Sequence, residues 1–143
     1  MFDMKFCFCS QSIPKYKVGG AERQMFNMAK ELVSRGHEVH MTTRKFSEDQ
    51  PWKEEVQGVK IHAFSDSSKN NLLFTYMRAL KDADAEVYHN RAATSITGLT
   101  ALFSKVFNRK FVYTLAHEEE FSQKFLEEDL GFIRRKSFLY GLD

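Results

Sequence analysis

Cysteine is nearly absent from this 143-residue chain, with only Cys7 and Cys9 present. Two cysteines spaced i, i+2 on a strand share a face but do not bridge, so no disulfide framework exists and two buried, reduced thiols are expected. Reduced thiols point to a cytosolic setting. Proline is equally scarce, and Pro14 and Pro51 both mark breaks between periodic segments. No run of 18 apolar residues and no charged-then-apolar leader occurs, so neither a spanning segment nor a secretion signal is expected. An excess of one charge sign is also missing. Lys plus Arg number 21 against 19 Asp plus Glu, a net charge of +2, too balanced to point to nucleic acid. The chain has no G-x-G-x-x-G fingerprint and no G-x-x-x-x-G-K-[ST] loop, which disfavours nicotinamide and P-loop nucleotide sites. Cys/His clusters and a G-x-S-x-G elbow are absent too, so no metal and no resident cofactor is expected.

What is present describes an ordinary globular domain. Apolar residues make up 43% and charged residues 28%, and a chain of this length buries about 68–70% of its unfolded surface. "MKFCFCS" (4–10) has the character of a buried strand. From Ala21, Met25, Met28, Ala29, Leu32 and Val33 fall on one helical stripe, closed by Arg35 and a C′ Gly36. "HEVHMTT" (37–43) is a second strand, and polar residues 45–58 are expected to form a surface loop. "VKIHAFS" (59–65) alternates as a strand nearer a sheet edge. A helix follows with Leu73, Tyr76, Met77 and Leu80 at helical spacing, then a strand at 85–91. The next helix carries Ile96, Leu99, Leu102, Phe103 and Val106, and a strand spans 110–116. The tail, charged at first, is expected to be helical near its end. Strands joined by helical crossovers predict an α/β domain, a Rossmann-like, mostly parallel sheet with helices on both faces. Ligands of such sheets gather at the carboxyl ends of the strands, where loops 10–20, 43–58, 89–95 and 116–121 fall.

Candidate site residues follow from that placement. Gly19 and Gly20 open the first helix. Either they only make a tight turn, or their missing Cβ atoms let an anion reach the first free N–H groups and the positive end of the helix dipole. Glu22, in the first turn, either steadies the helix start or meets a ligand hydroxyl. His89, Asn90 and Arg91 end one strand and His117 follows the next. A histidine there suits a sugar hydroxyl or acid–base work, and Arg91 suits phosphate. His37, His40 and His62 share no metal-like spacing and are expected to be structural. The pairs Glu119/Glu127 and Glu120/Glu128 are expected on a solvated charged face.

Together the short apolar strand, "P…GGAE", the helix ending "L-x-x-R-G-H-E-V", "GVKI" (58–61), "AEVYHNR" (85–91) and "KFVYTLAH" (110–117) resemble the N-terminal domain of family-4 glycosyltransferases. The likeness runs through nearly the whole chain. It implies half of a GT-B fold in a retaining enzyme that uses a nucleotide-diphosphate sugar as substrate, transfers a hexose, and acts on a glycan or lipid acceptor. Gly19 and Gly20 then match the cleft loop near donor phosphate or acceptor, and His89 matches the histidine that ends the fourth strand. Arg91 stands where many members have a second histidine. The chain reads Ala116-His117 where His-Gly is common, so His117 is either the shifted equivalent or that role is missing. The family's E-x7-E motif belongs to its second domain, which leaves the catalytic residues of this chain unknown. The resemblance further implies an incomplete first domain, a donor-binding domain absent from these 143 residues, and a chain silent in catalysis by itself. The reduced thiols place the full enzyme in the cytoplasm, and its basic and aromatic surface residues allow peripheral contact at the inner membrane face. Two other readings stay open at this point. One is a stand-alone α/β subunit that pairs with a separate donor-binding chain. The other is an unrelated Rossmann-like nucleotide-binding protein.

Overall fold

Phe6 and Phe8 alternate with Cys7 and Cys9, so the first strand, β1 (Lys5–Cys9), carries bulk on both faces. Such a strand belongs inside a sheet covered on both sides. In the computed structural model, which describes residues 3–17, 19–91 and 96–114, that is where it lies. Along the chain follow α1 (Gly20–Ser34), β2 (Glu38–Arg44), β3 (Lys53–Val56), β4 (Val59–Phe64), α2 (Lys69–Ala83), β5 (Val87–Arg91), α3 (Thr97–Val106) and β6 (Lys110–Thr114). The sheet has the order β3-β4-β2-β1-β5-β6. All pairs are parallel except β3 with β4.

Helices cover both faces, as the crossover pattern requires. Met25, Phe26 and Ala29 of α1 pack with Phe8, Val39, Met41 and Ile61 on one side. Tyr76 and Leu80 of α2 and Phe103 of α3 pack with Cys7, Cys9 and Tyr88 on the other. Both cysteines are free and buried, and the Cys9 hydrogen bond together with burial pushes the Cys7 thiol well up, so it stays protonated and inert.

Helix ends obey local chemistry. Gly36 adopts φ +91°, and the N–H groups of Gly36 and His37 donate to the carbonyls of Val33 and Leu32, the Schellman closure that only a residue tolerant of positive φ permits readily. Ser68 Oγ accepts the Asn71 N–H at 3.1 Å and caps α2. Ser68→Ala is expected to lower stability by about 1 kcal/mol, read as a lower urea midpoint with an unchanged slope.

Three expectations need correcting. The segment 45–58 is not all loop, because Lys53–Val56 form the edge strand β3. Gln57 and Gly58, at φ 51° and 85°, make the two-residue hairpin turn that joins β3 to β4. β3 has no apolar alternation to betray it. Its charged residues suit an edge, where they discourage further pairing. On α1, Met28 turns outward and Phe26 inward, since Phe26 lies nearer the Met25–Ala29–Val33 line. Leu73 on α2 and Leu102 and Val106 on α3 are likewise exposed rather than core. The expected strand beyond Thr114, the tail helix and both Glu pairs lie outside the described residues.

Candidate functional site

Strand order locates the crevice. From β1 the chain moves outward to β2 and β4, then returns to place β5 on the other side of β1. That reversal between β1 and β5 is the topological switch point, where loops leave in opposite directions and open a space. A cavity of about 170 Å³ sits there, lined by Ser10 and Gln11 after β1, Glu22 and Met25 of α1, Arg91 at the end of β5, and Ile96 before α3.

The rim after β1 is pinned. Thr42 Oγ1 accepts the Ser10 N–H at 2.9 Å and donates to the Ser10 carbonyl at 2.8 Å. Ser10 Oγ donates to the Ser12 carbonyl at 2.7 Å, and Arg44 N–H donates to the Gln11 carbonyl at 2.9 Å. Ser10 and Gln11 are therefore tied to the end of β2.

At the mouth of α1 the two glycines differ. Gly19 is the N-cap, extended at φ −144° and ψ 157°, and offers no side chain to cap the first turn. The Glu22 carboxylate folds back over it, so a methyl group on Gly19 would collide with that carboxylate. Gly20 begins the helix, its φ is not positive, and among the described residues nothing lies within 4 Å of where its Cβ would stand. Among the described residues no packing or backbone constraint demands glycine at position 20. Its effect is to leave the backbone at the start of the uncapped helix uncovered by a side chain. In contrast, Ser68 fills the same role at α2 with a hydroxyl.

His89, Asn90 and Arg91, adjacent in sequence, do not converge, because successive side chains of β5 leave on opposite faces. Arg91 turns toward α1, where Nη1 donates to Gln24 Oε1, and it shares the cavity lining with Glu22. His89 lies on the same face but does not line the cavity. Its Nε2 is 2.7 Å from Thr114 Oγ1 and its ring meets Phe8 edge-on at 5.4 Å. Burial, with Arg91 nearby, lowers the His89 pKa, so the ring is neutral near neutral pH. Asn90 faces the other way, buried, with Nδ2 3.5 Å from Thr97 Oγ1 at the start of α3. His117 lies outside the described residues. Gln24 escaped notice in the sequence. Its signal is position, one helical turn beyond Gly20 on the same face.

The remaining histidines bind the protein to itself. His37 Nδ1 accepts the Met4 N–H at 3.1 Å. His40 and His62 are buried and stacked, with Nδ1 and Nε2 2.8 Å apart, and His40 Nε2 lies 2.7 Å from Glu38 Oε1. Since Glu38 is ionised and accepts, His40 carries its proton on Nε2 and His62 donates through its own Nε2. Burial lowers the pKa of both rings, that of His62 to about 4 with a further push from His40.

A mostly parallel sheet, helices on both faces and a crevice at the β1/β5 reversal define a Rossmann-like α/β domain. The sequence profile described as Glycosyltransferase Family 4 matches residues 18–140, and the chain belongs to that family as an N-terminal domain. Among solved structures, it is similar to sucrose-phosphate synthase (tll1590) from Thermosynechococcus elongatus, at 13% identity and a TM-score of 0.57. That match covers 87% of this chain and 37% of the synthase chain, and it shows the fold. No curated protein matches the chain. The family match removes the reading as an unrelated nucleotide-binding protein.

Proposed function

We propose that this domain is the acceptor-side half of a retaining glycosyltransferase that moves a hexose from a nucleotide-diphosphate sugar to a glycan or lipid acceptor. The observation that carries this reading is the uncapped start of α1, whose Ala21 and Glu22, though neither Gly19 nor Gly20, line a small crevice together with Arg91. An exposed helix N-terminus attracts an anion through its free N–H groups and dipole, and a guanidinium adds paired, charge-assisted donors. Gln24 holds Arg91 in reach. Glu22 repels a phosphate placed directly on it, so its role is to orient the loop or accept from a sugar hydroxyl. Neutral His89 can accept from or donate to a hydroxyl without competing with Arg91 for charge. The sugar nucleotide acts as substrate and no cofactor is invoked.

The facing wall of the cleft, in this proposal, comes from a donor-binding domain in the same or a separate chain. Supplying such a domain, fused or in trans, is expected to produce transfer of labelled hexose from a nucleotide-diphosphate sugar, whereas the 143-residue chain alone transfers none. Transfer by the lone chain would overturn this division of labour. Failure of every donor-binding partner to restore transfer would overturn the function itself.

A further inference from the structure

A second cavity, of about 440 Å³, lies between the β3–β4 hairpin and α2, lined by Trp52, Lys53, His62, Arg78 and Asp82. It shares no lining residue with the β1/β5 crevice. Its size, and one aromatic ring set among convergent polar groups, suit a small ligand. His62 is 6% exposed, and among the described residues its Nδ1 has no hydrogen-bond partner. A buried polar atom left unpaired costs stability, so it calls for a partner.

The hydrogen bonds behind His62 fix what that partner must be. Glu38 Oε1 lies 2.7 Å from His40 Nε2, and His40 Nδ1 lies 2.8 Å from His62 Nε2. With the carboxylate ionised and accepting, each imidazole carries its proton on Nε2, and the chain ends on a bare lone pair at His62 Nδ1. Polarisation along such a chain strengthens the terminal acceptor. The partner is therefore a donor, since an anion would set lone pair against lone pair. Lys53 stands directly opposite His62 across the antiparallel strands and is paired with Asp82 at 3.1 Å. That part-exposed ion pair is weak enough to separate and offer its donor and its acceptor to a ligand. Arg78 lies 4.9 Å from the Trp52 ring, which keeps its N–H groups beside the cavity. Trp52 itself is part-exposed and presents an apolar body with one polar N–H. An orphaned acceptor, a carboxylate, two cationic donors and an aromatic surface together match vicinal hydroxyls on a C–H framework, which is the chemistry of a sugar ring.

We infer that this cavity binds a neutral saccharide unit, with one hydroxyl donating to His62 Nδ1 and its neighbours bridging Asp82, Lys53 and Arg78. Nδ1 is closed to solvent, and the Lys53–Asp82 pair is the part of the wall that opens to admit the hydroxyl. In a transferase the site would hold a remote unit of a glycan acceptor while its reacting end lies in the crevice. That purpose rests on the proposed transferase function, but the binding itself is tested without any nucleotide sugar, so failure of one is distinct from failure of the other.

Trp52 is the only tryptophan in the chain, so the fluorescence of the purified protein reports on the cavity directly. The probes are the methyl glycosides of glucose, galactose, mannose and N-acetylglucosamine at millimolar concentration, with inorganic phosphate for comparison. At least one glycoside is expected to shift Trp52 emission saturably and to move the nitrogen NMR resonance of His62 Nδ1, while phosphate does neither. Asp82→Asn and Arg78→Gln are each expected to weaken that affinity by about tenfold, as loss of a hydrogen bond to a charged group does. Both side chains are exposed, and unchanged circular dichroism checks that the variants fold. No response to any of the four glycosides overturns the proposal. So does a Trp52 shift that leaves the His62 resonance unmoved, or an affinity unchanged in both variants. A response to phosphate alone overturns it as well, in favour of an anion site.

Discussion

Gly20→Ala is expected to lower sugar transfer by about a hundredfold, a loss of the size that small displacements of reacting groups produce, while leaving folding unharmed. The two halves of that result have separate causes. Among the described residues nothing beyond the immediate chain neighbours lies within 4 Å of the new methyl, and alanine favours helix over glycine by up to about 1 kcal/mol, so the melting temperature stays level or rises. The first turn of α1 carries no side-chain cap, and a phosphate or hydroxyl drawn close to its backbone at Gly20 would be held away by the methyl. The measurement is transfer from a nucleotide-diphosphate sugar by the domain joined to its donor-binding half, together with a melting curve of each variant. Equal transfer by both variants would return Gly20 to the role of a plain turn residue.

Acid is expected to destabilise the domain by about 3 kcal/mol between pH 7 and pH 4 through His62 alone. The folded state holds His62 neutral, with its pKa lowered to about 4 by burial and by the neighbouring His40. An unfolded histidine titrates near 6.5. As pH falls below about 6.5 the unfolded chain takes up a proton that the folded chain refuses, so stability declines. The decline levels off once the folded ring protonates near pH 4. Above about pH 6.5 the full stability is present. His40, lowered in the same direction by burial, steepens the slope, and Glu38, Lys60, Lys5, Lys53 and Asp82 are the charged groups acting on the pair. Urea midpoints across this range check the sign. His62→Asn retains a donor for His40 Nδ1 and is expected to flatten most of the dependence. An unchanged slope in that variant would assign acid sensitivity to the carboxylates instead.

Periodicity and end signals carried much of the fold. β1, α1 with its Gly36 closure, β2 and the parallel order were legible because apolar spacing reports which faces are buried, and positive-φ glycine reports where a helix must stop. Legibility failed where side chains do not decide the structure. β3 exists because β4 offers it backbone partners, and its Lys-Glu-Glu-Val run shows no alternation. Met28 and Leu73 obey helical spacing, yet the neighbouring layer reaches only part of each helix, so they remain outside.

The candidate site divides in the same way. The sequence determined that a glycine-opened helix follows the first strand, that Cys7 and Cys9 do not bridge each other, and that the chain resembles family-4 glycosyltransferases, since each is a matter of residue type and order. Only the tertiary structure decided which side chains share a space. Strand pleating sent Asn90 away from Arg91, and a contact across helix and strand gave Arg91 the partner Gln24. Parallel pairing of β2 with β4 stacked His40 on His62, 22 residues apart. Proximity of this kind depends on how layers meet, and no local pattern along the chain records it.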